Sequence, residues 1–219
     1  MALARLKSVA GVTIPDTALC CAAVELLECS SPEWLRMHCL RTYVFGSLAV
    51  RGLGRSVVDE EAAFCAAVLH DLGLLPPYRR DNRFEVDGAN AAREFCAKHR
   101  VPPERADVIW QAIALHTSPG IPIRLADEIA LVHLGAGLDF LGFGLDQVPS
   151  RLVEELLEIY PRMNFKAEFR NLLIEHCRHN PAAQVLTWTD DVARTVGCTL
   201  HGQPIPTASQ IMLAAPFDE

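Results

Sequence analysis

The chain has 219 residues, 50% of them hydrophobic, which is enough for one sizeable core, and no compositional break calls for a second. A net charge of -7 with only 20 Lys+Arg leaves no broad basic surface for phosphates, so nucleic acid is excluded as an expected partner and a small molecule is favoured. The eight cysteines, at 20, 21, 29, 39, 65, 96, 177 and 198, form no CxxC pair and read as reduced core residues of a cytoplasmic protein.

Residues 1–15 carry Arg5 and Lys7 but no apolar block with a cleavage site, so no secretory signal is expected. Residues 16–29 read as a first helix, and Ser31-Pro32 opens a second that carries His38 and ends at Gly52 and Gly54. Asp59 begins a third, whose small-residue surface of Ala62, Ala63, Ala66 and Ala67 suits close packing and which stops at Leu72-Gly73. Helices are further expected over 90–99, from Pro103 to His116, over 127–139, over 152–160 after Ser150, and over 165–179 after Asn164. Residues 189–196 suggest one short helix, and the tail from Gly202, with Pro204, Pro206 and Pro216, reads as irregular. Alternating strand-like stretches are nearly absent, so the fold class is all-α. The longest apolar run, 129–145, is interrupted by His133, several glycines and Asp139, so no membrane partner is expected.

Four residues stand out from this background. The adjacent pair His70-Asp71 ends an apolar helix, with His38 upstream and Asp139 downstream, each on a helix of its own. Two imidazoles and two carboxylates form a shell that divalent Zn, Mn, Fe, Co or Ni accepts. Neighbouring residues on a helix point roughly 100° apart, so His70 and Asp71 can straddle an ion beside their helix. His38 and Asp139 face the apolar sides of their segments, where an unpaired charge is costly and a shared cation would relieve it. Against this, a single histidine on an apolar face is more often a hydrogen-bonded core residue, and a single buried aspartate is usually a cap or half of an ion pair.

The ordered set His, His-Asp, Asp on separate helices resembles the HD-domain metal-dependent phosphohydrolase superfamily over roughly residues 31–145. Within it HCLRTYVFG at 38–46, LHDLG at 69–73, RFEVDG at 83–88, ALHTSPG at 114–120 and GAGLDFLG at 135–142 are similar to the branch related to cyanamide hydratase. The resemblance implies an HD-domain helical bundle, single-domain overall, with an N-terminal helical extension over 1–30, a metal-binding core over 31–180 and a C-terminal extension over 181–219 packed on it. It implies His38, His70, Asp71 and Asp139 as ligands of one divalent metal ion, zinc first, with Fe, Mn, Co or Ni also compatible. Such an ion lowers the pKa of bound water from about 15.7 to about 7 in favourable cases, giving a nucleophile at neutral pH. Asp71, His116 and Glu85 are then the candidate catalytic residues, His116 as proton donor or substrate holder and Glu85 as proton shuttle or as the group that orients metal-bound water.

Each role has a plain competitor. His116 could merely meet free carbonyls at its helix end, and Glu85 could pair with Arg83 or Arg41. Arg41, three residues beyond His38, could fix a carboxylate behind the metal. His133 lies six residues, or about 600°, before Asp139 and reads as structural. Only His99, His116 and His133 lie between the dyad and the final Asp, so one metal is expected rather than two. Phe84, Phe140, Phe143 and Trp110 are candidates to narrow the pocket.

The expected reaction is hydration or hydrolysis of a small nitrile-type molecule such as cyanamide. A phosphohydrolase acting on a nucleotide or other phosphate ester is the second reading, with Arg79, Arg80, Arg83 and Arg124 as candidate phosphate contacts. The third is a non-catalytic, metal-stabilised interaction domain. The apolar residues of 152–160 and 165–173 would serve equally in the core or in a homo-oligomer contact.

Overall fold

A computed structural model describes residues 7–216, so Arg5 and the first six residues of the expected N-terminal extension, like residues 217–219 of the C-terminal one, lie outside the described residues. Ten helices follow in order among the described residues: α1 (Ala18–Ser30), α2 (Glu33–Gly52), α3 (Glu60–Leu69), α4 (Phe84–Lys98), α5 (Pro103–Leu115), α6 (Asp127–Leu141), α7 (Ser150–Ile159), α8 (Phe165–His179), α9 (Asp190–Thr195) and α10 (Ala208–Leu213). The only strands among the described residues are two-residue antiparallel pairs, β1 (Ser8–Val9) with β2 (Val12–Thr13) and β3 (Thr199–Leu200) with β4 (Gln203–Pro204). The fold is all-α, and no described helix is long and apolar enough to cross a membrane.

The helix starts follow capping chemistry. The Thr17 side chain accepts from the Cys20 amide at the start of α1, and Asp59 accepts from the Ala62 amide at the start of α3. Two expectations are corrected. Helix α4 begins at Phe84 rather than at 90, because Arg83 is extended and Glu85 and Asp87 supply first-turn acids that suit the helix dipole. The tail is not irregular throughout: β3 and β4 form a hairpin, and Thr207 with Gln210 makes a reciprocal capping box that starts α10.

One apolar core runs from Val9 to Leu173, with a satellite of Cys177, Ala193, Cys198 and Ile205 beneath the C-terminal segment. Leu156, Phe165, Phe169 and Leu173, which sequence left open between core and oligomer contact, are buried within this chain. All eight cysteines are free; six are buried, while Cys21 and Cys29 are exposed and so are not core residues.

Two glycine contacts place the elements that matter. A Cβ on Gly46 of α2 would collide with the Leu131 carbonyl of α6, and one on Gly135 of α6 would collide with the Thr42 carbonyl of α2. The two backbones therefore touch, which brings the His38 helix against the Asp139 helix. Likewise a Cβ on Gly73 would strike the Phe84 carbonyl, so the turn after His70-Asp71 lies directly on the first turn of α4.

Candidate metal centre

His70 caps the end of α3, and Asp71 follows as the chain tightens into the short 3₁₀ turn Leu72–Leu74. His38 reaches the same point from α2. His38 Nε2 lies 3.4 Å and His70 Nε2 3.3 Å from Asp71 Oδ2, and all three residues are buried. The ligand atoms of His38, His70 and Asp71 lie within 4.8 Å of one another. His116, at the end of α5, stands beside them with Nε2 3.9 Å from Asp71 Oδ1 and its ring 4.9 Å from that of His70.

The far nitrogens fix the tautomers. His70 Nδ1 donates to the Ala67 carbonyl at 2.8 Å, His116 Nδ1 to the Ile113 carbonyl at 2.6 Å, and His38 Nδ1 to Asp139 Oδ2 at 2.6 Å. In its neutral form each ring therefore turns the lone pair of Nε2 toward Asp71. Burial pushes the His70 pKa down to about 3, and burial likewise lowers that of His116, so both rings are neutral at physiological pH. For His38 burial opposes the charged form, but the adjacent Asp139 and Asp71 carboxylates outweigh it and raise the pKa.

Asp71 tests whether a cation fits here. Burial favours its neutral form, yet the surrounding imidazoles hold its pKa below the usual carboxylate value. Its Oδ2 is buried without a hydrogen-bond partner. A buried carboxylate oxygen left without a donor costs several kcal/mol unless a cation joins it. Two neutral imidazoles and one carboxylate supply the nitrogen and oxygen donors that a divalent ion takes.

Asp139, expected as a fourth ligand, has a different place. Arg41 grips it bidentately, Nε to Oδ1 at 2.7 Å and Nη2 to Oδ2 at 2.8 Å. Arg162 Nη1 adds a bond to Oδ1 at 2.8 Å, and His38 takes the remaining position. Two guanidiniums already neutralise this carboxylate, and both its oxygens are engaged; Asp139 orients His38 from behind and lies outside the His38–His70–Asp71 group. Arg41, fully buried, also donates to the Tyr160 and Pro161 carbonyls, so it ties α2, α6 and the α7–α8 connection together.

Glu85 is likewise an anchor. It is buried, its oxygens accept from Arg83 at 2.6 and 3.0 Å, and Thr117 Oγ1 donates to the same carboxylate. It does not line the cavity above the centre, and its bonds hold the α5 end, and hence His116, against α4.

That cavity has a volume of about 270 Å³, with His38, His70, Asp71 and His116 on its polar side. Phe84, Phe140 and Phe143 line it as expected; Trp110 does not, since it bonds Asn90 under Arg93 elsewhere on the surface. His133, read as structural, also lines it, its Nδ1 donating to the His116 carbonyl at 2.7 Å. Sequence reasoning missed Phe169, Trp188 and the Arg162 contact. Phe165 and Phe169 share one face of α8, and their only sequence signal was the four-residue spacing of a core stripe.

Among curated proteins none matches the sequence. Residues 36–136, which span His38, the His70-Asp71 turn and His116 but stop short of Asp139, match the family model described as HD domain. Together with an all-α bundle around a buried His-His-Asp group, this match supports the HD-domain superfamily, whose members are generally metal-dependent hydrolases.

Proposed function

We propose that this protein is a metal-dependent enzyme that adds water to a small neutral molecule of the nitrile type, the ion being held by His38, His70 and Asp71. The observation that carries the reading is the pairing of an unsatisfied Asp71 oxygen with a largely apolar cavity that no described Lys or Arg lines. A divalent ion bound there, zinc being our first choice, supplies Lewis acidity and a water whose pKa falls toward neutrality.

The chain's own residues do the rest. His38 and His70 present Nε2 lone pairs because Asp139 and the Ala67 carbonyl hold their Nδ1 protons. Neutral His116, whose Nε2 carries a lone pair, takes a proton from the attacking water and hands it to the nitrogen that becomes anionic as the C–O bond forms on the neighbouring carbon. The balance is R–C≡N plus H₂O giving R–C(=O)NH₂: a C–O bond forms as one C–N π bond breaks to give R–C(OH)=NH, and tautomerisation moves the second water proton to nitrogen, leaving C=O and a C–N single bond with no change of oxidation state. Phe84, Phe140 and Phe169 exclude bulk water from the polar side, which strengthens every charge interaction there.

The phosphate-ester reading loses its cations. Arg79 is buried and bonds the Leu74 carbonyl and Glu175, Arg80 bonds the Pro77 and Arg79 carbonyls, Arg83 holds Glu85, and Arg124 is exposed on a turn that does not line the cavity. Screening nitriles against phosphate esters, with metal content measured on the same sample, tests the proposal. Amide release from a nitrile is expected; turnover of nucleoside monophosphates with no nitrile hydrated would overturn it.

A further inference from the structure

The cavity is far roomier than a bare cyanamide needs. About 270 Å³ is the liquid volume of roughly nine waters, of which a three-heavy-atom molecule displaces only two or three. The remaining space is bounded by Phe84, Phe140, Phe143, Phe169 and Trp188, with Leu134 and Leu141 between them. Water filling such a space finds few partners, whereas an apolar group gains from burial.

His38, His70, Asp71 and His116 stand together, and aromatic rings adjoin them, Phe169 at 5.5 Å from the His38 ring and Phe84 at 5.6 Å from that of His116, while Phe143 on the same lining is 71% exposed. A ligand matched to this arrangement has an uncharged reactive head and an apolar body about one ring in size. Four of the five aromatic residues come from positions beyond 136, outside the stretch that matches the HD domain. Trp188 is delivered by the C-terminal segment, held by a buried network in which Gln184 bonds the Asn180 carbonyl at 2.8 Å and Thr189 bonds Gln184 at 2.5 Å. Its ring then packs 5.8 Å from Phe140 and 6.3 Å from Phe84.

We infer that the substrate is a neutral nitrile bearing an aromatic or comparably bulky apolar body, and that Phe140, Phe143 and Trp188 set this preference. The inference rests on the hydration reading for the head group only; recognition of the body follows from the cavity itself. Apolar burial is worth about 0.8 kcal/mol per methylene, or roughly fourfold, so a ring that is mostly enclosed adds about 100-fold to affinity.

Calorimetry on the full chain with acetonitrile, phenylacetonitrile and phenylacetamide measures this apart from turnover. The phenyl compounds are expected to bind about 100-fold more tightly than acetonitrile. Trp188→Ala should remove about tenfold of that advantage, and Phe143→Ala, at an exposed site where folding is not at stake, severalfold. Affinities for phenylacetonitrile and acetonitrile within threefold of each other, or an advantage that survives both substitutions, would overturn the inference. If the ring preference holds but no amide forms, the cavity assignment stands and the hydration reading falls. If small nitriles are hydrated with no ring preference, the outcome is the reverse.

Discussion

Replacing Asp139 with Asn separates an orienting carboxylate from a metal ligand. The side chain keeps its shape and one acceptor, but the charge that compensates fully buried Arg41 disappears, and the new amide nitrogen faces either a guanidinium or His38 Nδ1–H. Breaking a buried ion pair from one side costs about 3–5 kcal/mol. A chain of this size loses about 2–4 °C per kcal/mol, so the thermal midpoint should fall by roughly 6–20 °C. Metal affinity, measured by competition with a chromophoric chelator well below that midpoint, should fall only about 10–100-fold, because His38 loses orientation but keeps its Nε2. Asp71→Asn should behave in the opposite way: binding is lost, while the metal-free protein is no less stable, since its orphaned charge is gone. An Asp139→Asn protein of unchanged stability that fails to bind metal would refute the reasoning and return Asp139 to the ligand set.

Gly135→Ala should cost about 3 kcal/mol in urea denaturation because its Cβ meets the Thr42 backbone, whereas Gly137→Ala on the same helix, which faces open space, should gain about 0.5–1 kcal/mol; equal effects would contradict the α2–α6 contact. Burial, with Arg79 nearby, holds the His176 pKa at about 4, and neither ring nitrogen has a partner. An ordinary histidine titrates near 6.5, so the unfolded chain takes up this proton first and stability falls as pH drops from about 6.5 to about 4, by at most about 1.4 kcal/mol per pH unit. His176→Phe should flatten that limb; an unchanged slope would assign it elsewhere. His116→Gln should keep its metal while hydration slows about 10²–10⁴-fold, and loss of the ion would make His116 a ligand rather than a proton donor.

What could be read from residue order, and what could not, follows from the range of the interactions. His38, His70 and Asp71 were legible because they break otherwise apolar helices, and all-α architecture followed from 3.6-residue periodicity. Asp139 was seen as a charged residue on an apolar face and Arg41 as a residue able to fix a carboxylate, but their pairing could not be read across 98 positions of chain, and Arg162 belongs to a connection with no periodic signal. Glu85 was ambiguous for the same reason, with Thr117 decided only by how α5 meets α4. The cavity wall was the least legible part. Phe169 looks like any core aromatic, and Trp188 sits in a short, irregular segment whose position depends on side-chain bonds among Asn180, Gln184 and Thr189.

A cation bound by His38, His70 and Asp71 is the centre on which the proposed chemistry turns. Elemental analysis of the purified chain beside its Asp71→Ala and His70→Ala variants, each confirmed folded by circular dichroism, tests this directly. One equivalent of a divalent metal in the parent chain and little in either variant is the predicted result. A parent chain that neither retains nor takes up such an ion, or variants that hold it as well as the parent does, would contradict it.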